Sequence, residues 1–432
     1  MKDQPPANAS VTSARSWYVL AVLFVVYACS AADRHILSIL AQDIKHDLQL
    51  SDTQLGLLTG PAIALLFGIM SVPVAHLAER VHRVRLLGFC LALWSLFTAL
   101  GSLASNSVQL ALSRIGVSAS EGGGIPVSAS ILADYFPPQR RPLALTIYSI
   151  SAMVGIFVSF AIGGLIAAHY GWRAALIAAS LPGFLLCLLM VTTVREPERG
   201  ATDTKEVQAS STKPLSLLAA LRQIIGDRLF RTVLISAALT SFASAGALAW
   251  GPTLAMRTFG ADTSQVGGRL GLGIAVLGAL AMLLSGLVAD RVLNRYGRPA
   301  TFRVVAFGQI AAIPVLALAL TVGGLTPALG LLGLFYGMMH LYVPIYWATA
   351  SMMPSAIRAT ASSVGVLTMI VVGGGMAPPV VGMLSDLLTP ALGHSALAWA
   401  MTVLMVAVAL SSAGLLRAGL IAQKAVAARS TA

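Results

Sequence analysis

Trp17-Tyr-Val-Leu-Ala-Val-Leu-Phe-Val-Val-Tyr-Ala-Cys-Ser-Ala-Ala-Asp33-Arg34-His35-Ile-Leu-Ser-Ile-Leu40 is an apolar run interrupted only near its end, by an acid, a base and a histidine. A bilayer core takes about 20 apolar residues as helix, so this run is long enough to cross one. It is too long for the core of a signal peptide and has no clear cleavage site, so it reads as a retained first span behind a polar tail, residues 1–16.

The same cut, made wherever charge and turn residues interrupt apolar runs, predicts eleven more spans. They are 53–78, 86–105, 107–134, 142–169 and 172–194, then 230–257, 266–289, 300–321, 326–350, 358–388 and 395–420. Several exceed the minimum, which implies tilt or protruding ends. Composition agrees. Only 10% of the 432 residues are charged and 57% are hydrophobic, whereas soluble domains carry about 25% charge. A water-soluble enzyme or nucleic-acid binder is excluded on that ground, and the expected partner is the lipid bilayer. Cys29, Cys90 and Cys187 sit far apart in apolar runs and signal neither a disulfide framework nor a zinc site.

The polar stretch 195–229 divides the predicted spans six and six. Of the 28 Lys and Arg, only Lys45, Arg173, Arg257 and Arg269 fall on one set of loops, and Arg34 and Arg114 fall inside spans. All the others lie on the termini, the linker and the opposite loops. The positive-inside rule therefore predicts both termini, the tail 421–432 and the linker in the cytoplasm. The net charge of +12 is read as an insertion signal, with no nucleic-acid partner.

The halves repeat one another. Ala75-His-Leu-Ala-Glu79-Arg80-Val-His-Arg83 follows the second span, and Gly286-Leu-Val-Ala-Asp290-Arg291 follows the eighth. Pro137-Pro-Gln-Arg-Arg141-Pro-Leu-Ala144 precedes the fifth, and Pro354-Ser-Ala-Ile-Arg358-Ala-Thr-Ala361 precedes the eleventh. A period of six helices is a transporter signature. Glu79, Arg80, Arg83, Asp290, Arg291, Arg141 and Arg358 are accordingly expected to form a cytoplasmic gate. Helix-dipole and insertion charge explain the arginines equally well, but not an acid at both equivalent sites.

Twelve helices in two related six-helix bundles (17–194 and 230–420), the central linker and the acid-arginine loops resemble the major facilitator superfamily. Asp33-Arg34-His35-Ile-Leu-Ser-Ile-Leu, Leu50-Ser-Asp52-Thr-Gln-Leu-Gly, Arg114-Ile-Gly116 leading to Glu121-Gly-Gly, Phe136-Pro-Pro-Gln-Arg-Arg141, Tyr170-Gly-Trp-Arg173 and Val194-Arg-Glu-Pro-Glu-Arg-Gly200 are together similar to its spinster-like branch. Glu79, His82 and the pair Ala31-Ala32 depart from the usual pattern.

Catalytic readings fail on inspection. No lysine follows a glycine as a phosphate-binding loop requires, and no His-Glu-x-x-His pair occurs. Gly116-Val-Ser118-Ala-Ser120 lacks the closing glycine of a nucleophile elbow. The chain is therefore not expected to be an enzyme, and no cofactor or metal is expected.

Attention falls instead on charges inside spans, each costing about 2.5–3.5 kcal/mol on insertion scales and facing, as a rule, a wet interior. Asp33 lies sixteen residues past Trp17, about 24 Å along the helix, and Arg114 lies seven past Ser107, about 10 Å in from the other side. Glu121 is two turns beyond Arg114 on the same face. Asp33 and Glu121 are the expected proton-coupling acids; Arg34 and Arg114 are expected to bind substrate. The bland alternative is a network locking the first helix to the fourth.

The resemblance further implies a cavity between the first, fourth, seventh and tenth helices, which adds Thr240, His340, Tyr342 and Trp347 as substrate contacts. Gly122-Gly-Gly124-Ile-Pro126 is either a locally unwound contact or a site of close helix packing. The functional expectation is an alternating-access secondary active transporter in the plasma or bacterial inner membrane, monomeric and proton-coupled. It is expected to move an amphipathic lipid-like molecule or an organic anion. A broad-range proton-antiporting drug or metabolite exporter is the alternative on the same fold, and a transport-dead receptor or scaffold the alternative in kind.

Overall fold

A computed structural model describes residues 14–137, 140–198, 217–350, 353 and 355–430. Most of linker 195–229 lies outside them. The described residues are helical throughout, with no strand.

The first half runs α1 Ala14–Leu48, α2 Asp52–Thr59, α3 Pro61–Ala78, α4 Arg83–Gly101, α5 Ser107–Glu121, α6 Gly124–Tyr135, α7 Arg141–Val158 and, after a π-helical turn, α8 Gly164–Thr193. α9 Leu217–Gly226 follows, then α10 Arg228–Phe259, α11 Thr263–Thr321, α12 Leu325–Met338, α13 Val343–Ala350, α14 Ser355–Met369, α15 Ala377–Leu392 and α16 Ala396–Ser430. Polar caps start several of these: Ser51 with Gln54 forms a capping box, and Asn106, Asp227 and Asp262 each accept a backbone N–H two or three residues on. Each such cap contributes about 1 kcal/mol.

The predicted spans fall on helix among the described residues, but several are not continuous. The second breaks at Gly60-Pro61 and the fourth at Gly122-Gly123; the tenth passes through a 3₁₀ turn and the eleventh through a π-helical stretch, Ile370–Met376. The expected linker 195–229 contains helix α9, and the expected tail 421–432 is helical to Ser430.

Eight stretches of described helix are long and apolar enough to cross a membrane. Leu143–Thr193 counts 51 residues and Thr360–Ala427 counts 68. At about 1.5 Å per residue each exceeds two crossings of a core about 30 Å thick, so each must turn. Gly171, at φ +82°, turns the first; Gly297, at φ +74°, turns α11 in the same way. Only glycine takes this left-handed region without a steric penalty.

Ser16 donates to the Tyr135 carbonyl and Tyr135 to that of Arg195, so the start of α1 and the ends of α6 and α8 share one face, here called the terminal face. Packing is uneven across the bundle. At the opposite end one continuous core takes Leu40 and Ile44 of α1, Phe160 and Trp172, and also Trp250 of α10, Leu332 of α12 and Met401 of α16. Toward the terminal face the halves keep separate cores, one around Leu23, Trp94 and Phe136 and one around Phe230, Phe302 and Tyr346. The molecule is thus fused at its far end.

Candidate functional site

Asp33 and Arg34 are consecutive on a helix and so diverge by about 100°. That divergence builds two ion pairs instead of one. Asp33 turns inward, where Thr98 Oγ1 donates to Oδ2 at 2.5 Å and Arg114 Nη1 lies 3.5 Å from Oδ1; Arg114 Nη2 donates to Thr98 Oγ1 at 3.0 Å. Arg34 turns the other way, donating from Nε to Glu121 Oε2 at 3.3 Å and from Nη2 to Ser30 at 3.1 Å, with its guanidinium 4.5 Å over the Phe67 ring. Both pairs tie the first predicted span to the fourth.

Their surroundings differ. Arg114 is fully buried and Asp33 and Glu121 nearly so, whereas the Arg34 side chain is 22% exposed. Arg34 lines a cavity of about 240 Å³, together with His35, Ser38, Thr59, Phe67, Ser241, Met369 and Ile370. Apart from Arg34, His35, Ser38, Thr59 and Ser241, its walls are apolar side chains and backbone from α1–α3, α10 and the eleventh span. Pockets for small molecules run to about 300–1,000 Å³, so this one suits a small headgroup.

That lining departs from the expectation of a cavity walled also by the fourth and tenth spans, since among the described residues none of its lining comes from either. Thr240 is not a cavity residue: it is fully buried, donates to the Ser236 carbonyl, accepts from Gln309 Nε2 at 2.9 Å and shares a hydrogen bond with Ser411. His340 packs on Tyr336 and bonds its carbonyl. Tyr342 stands one layer behind the wall, 3.2 Å from Met369 Sδ. The side chain of Trp347 lies outside the described residues. Arg114 likewise does not line the cavity and sits behind Asp33.

The glycine run packs closely. A Cβ on Gly122 would lie 2.8 Å from the Phe67 carbonyl, and one on Gly123 would collide with the Val74 side chain, so the α5–α6 junction meets α3 backbone to backbone at Gly122 and takes a side chain against Gly123.

At the terminal face, Arg83 is buried and donates to Asp134 and Glu196, at 2.6 Å each, and to Ser130 Oγ at 2.8 Å. It clamps its own half. Arg141 donates to the Ala133 and Phe136 carbonyls at the end of α6. Glu79 and Arg80 are exposed and both contact His76. Arg291 is exposed; the side chains of Asp290 and Arg358 lie outside the described residues.

Sequence reasoning missed the cluster at the far end. Arg257 of α10 grips Asp52 through both terminal nitrogens, at 2.7 and 2.8 Å, and Gln42 of α1 through Nε at 3.0 Å. Lys45 and Ser385 also donate to Asp52. Asp386 accepts from the backbone N–H groups of Asp52 and Thr53 at the start of α2, at 3.0 and 2.8 Å. Burial alone would raise the Asp52 carboxyl, but the Arg257 guanidinium and its other donors hold it well below the usual carboxylate range. A signal was present: Lys45, Arg173 and Arg257 are three of the four cations on loops that otherwise exclude them, and each is ion-paired here.

A core fused at one end, two separate cores at the other and a charged cavity between them are the layout of a two-half transporter. The model of the Major Facilitator Superfamily matches residues 23–378. The chain belongs to the major facilitator superfamily. It is 33% identical over 405 residues to an MFS-type efflux pump of Mycolicibacterium smegmatis, covering 92% of this chain and 91% of that one. It is 24% identical over 312 residues to a probable galactarate/D-glucarate transporter of Bacillus subtilis, covering 67% and 68%. A crystal structure of a bacterial homolog to the human lysosomal transporter spinster, inward-facing and unoccupied, superposes with a TM-score of 0.82 at 25% identity, covering 95% of this chain and 98% of that one. The spinster-like resemblance read from the sequence holds. The transporter has the family and fold of integral membrane transporters, not of enzymes.

Proposed function

We propose that this transporter moves an amphipathic organic anion, coupled to protons, by alternating access between its halves. The observation that carries the reading is the division of labour between the two ion pairs: Arg34 reaches the cavity with Glu121 buried behind it, while Asp33, Thr98 and Arg114 form a sealed layer beneath. An anionic headgroup that takes Arg34 from Glu121 leaves a carboxylate in a poorly hydrated site, where it gains a proton. Substrate and proton then bind together. Phe67, Leu248, Met369 and Ile370 offer the apolar remainder of the substrate its surface.

Twelve crossings in two bundles, 17–194 and 230–420, complete the reading, with both termini in the cytoplasm of a plasma or bacterial inner membrane and the chain acting as a monomer. The fused far end is then the outer gate, closed. Glu79, Arg80, Arg83, Asp290, Arg291, Arg141 and Arg358 belong to the cytoplasmic gate, in which Arg83 and Arg141 hold their own half in shape and the others meet partners across the halves when that side closes.

The likeness to an efflux pump supports a second reading, proton-antiporting export of a broad range of compounds. Proteoliposomes with and without a pH gradient separate the two when offered lysophospholipids, sugar acids and cationic dyes. Gradient-driven movement of the anions supports the first reading. Movement of the cationic dyes alone overturns it in favour of the second.

A further inference from the structure

Glu121, which does not itself line the substrate cavity, lines a second and much smaller one. This one has a volume of about 10 Å³ and is walled by Tyr27, Ser30, Ser128, Tyr148, Gly124 and the apolar Val26, Trp94 and Ile125. By that measure one water needs about 10–15 Å³ and two to four polar partners. Two buried polar atoms on this wall, Glu121 Oε1 and Ser128 Oγ, complete no hydrogen bond of good geometry within the protein, although the Ser128 hydroxyl lies beside that of Tyr148. Buried polar atoms are almost always satisfied, by protein or by ordered water. The space is too small for a substrate, and one carboxylate is too few for a metal ion.

We infer that this cavity holds one water, which carries the proton of Glu121 to and from the terminal face by a route separate from the substrate cavity. The inference rests on the proposed role of Glu121 as proton carrier. Direction follows from the helices. Ser128 is seven residues past Glu121 toward the terminal end of α6, and Tyr27 is six residues before Asp33 on α1, about 9 Å nearer that end. The Tyr148 ring, which is buried, stacks on that of Tyr27 at 4.7 Å, and Tyr27 is partly exposed. In release, the Oε1 proton passes to the water, the water gives one of its own to the Ser128 hydroxyl, Ser128 passes its proton to the Tyr148 hydroxyl beside it, and Tyr148 gives its own to solvent water reached past the partly exposed Tyr27. Glu121 is left as carboxylate and every intermediate group is restored. The other charged groups about Glu121 are Arg34, which holds Oε2 and also donates to Ser30 of this wall, and Asp33 and Arg114. None of the three lines the small cavity. A separate route lets the proton leave while substrate fills the space in front of Arg34.

The test uses the purified full chain in detergent, with a proton released by caged-proton photolysis and the carbonyl stretch of the protonated carboxyl followed in time. Glu121→Gln identifies the band that belongs to Glu121. Ser128→Val fills the cavity and removes a hydroxyl. Tyr148→Phe removes the neighbouring hydroxyl at almost unchanged volume, and so keeps the test alive if the valine variant does not fold. Both should slow the Glu121 band at least about tenfold, as the loss of a positioned proton-transfer partner does, with Thr240→Val at the wild-type rate. Wild-type rates in Ser128→Val and Tyr148→Phe would overturn the route while leaving Glu121 as carrier. A spectrum in which Glu121→Gln removes no band would overturn the carrier role and the route with it.

Discussion

Arg257 and Asp52 meet in a two-pronged ion pair at 2.7 and 2.8 Å, across the far end of the molecule and between residues 205 positions apart. Asp52 is 1% exposed, and Asp386 holds the adjoining N-terminus of α2 from the same side as Arg257. The pair therefore locks the first half to the second where the core is continuous.

Removing one partner of a buried pair typically costs about 3–5 kcal/mol, because the other charge is left uncompensated. Here the cost falls on the conformation closed at the far end, since the pair spans the halves. Because Lys45 and Ser385 still donate to Asp52, Arg257→Ala should fall short of that full cost and raise far-side labelling of a cysteine placed at Ala249, in the cavity wall, by about tenfold or more in opening equilibrium. Unchanged labelling in a background lacking Cys29, Cys90 and Cys187 would show that the pair is no lock.

The Asp52 carboxyl is held below its ordinary range in the closed form, so its contribution is present above the ordinary carboxylate value and fades only as pH falls through the depressed one. Closure at the far end should be flat from about pH 8 to pH 5 and loosen only in stronger acid. Accessibility of the Ala249→Cys site measured across that range checks it. Opening with a midpoint near pH 6 would assign the lock to another group.

Much of this molecule was legible in the sequence. The apolar runs mark the crossings because a bilayer leaves no other way to satisfy a backbone, and the acid-arginine repeats expose the two halves. The expense of charge in lipid singled out Asp33, Arg34, Arg114 and Glu121, and the family resemblance, which sets the first and fourth helices about one cavity, implied that they cluster. Two breaks did not follow, Gly60-Pro61 and the π-helical stretch at Ile370–Met376, and at Gly122-Gly-Gly124 unwinding stood only as an alternative to close packing, because each depends on how close neighbouring helices come. Thr240 misled for a related reason. A hydroxyl in an apolar run satisfies itself equally well on a cavity or, as here, on Gln309 and Ser411. Asp52 escaped notice because a span's flanking acid looks like a cap until Arg257, far along the chain, is brought to it.

The two arginines of the site should fail differently. Arg34→Lys keeps a charge but loses the planar fork, and Arg34→Ala loses both, so substrate affinity should fall by roughly tenfold and then a hundredfold, with folding intact. Arg114→Ala leaves Asp33 buried without its cation, at a cost of about 3–5 kcal/mol in stability. Thermal unfolding alongside ligand binding separates them. Arg114→Ala with wild-type stability and lost affinity would place it at the substrate instead.

Thr240→Val removes a hydroxyl from the Gln309–Ser411 network and should destabilise by about 1–3 kcal/mol while leaving transport rates unchanged. A change in substrate preference would return Thr240 to the cavity.

The central claim is that an anion taking Arg34 drives a proton onto Glu121. Its most direct test is the pH of a lightly buffered detergent solution on addition of an anionic amphiphile such as a lysophospholipid acid, in wild type and in Glu121→Gln. The account predicts proton uptake by wild type, about one per transporter, and none by the variant. Proton release by wild type, or equal uptake by both proteins, would contradict it.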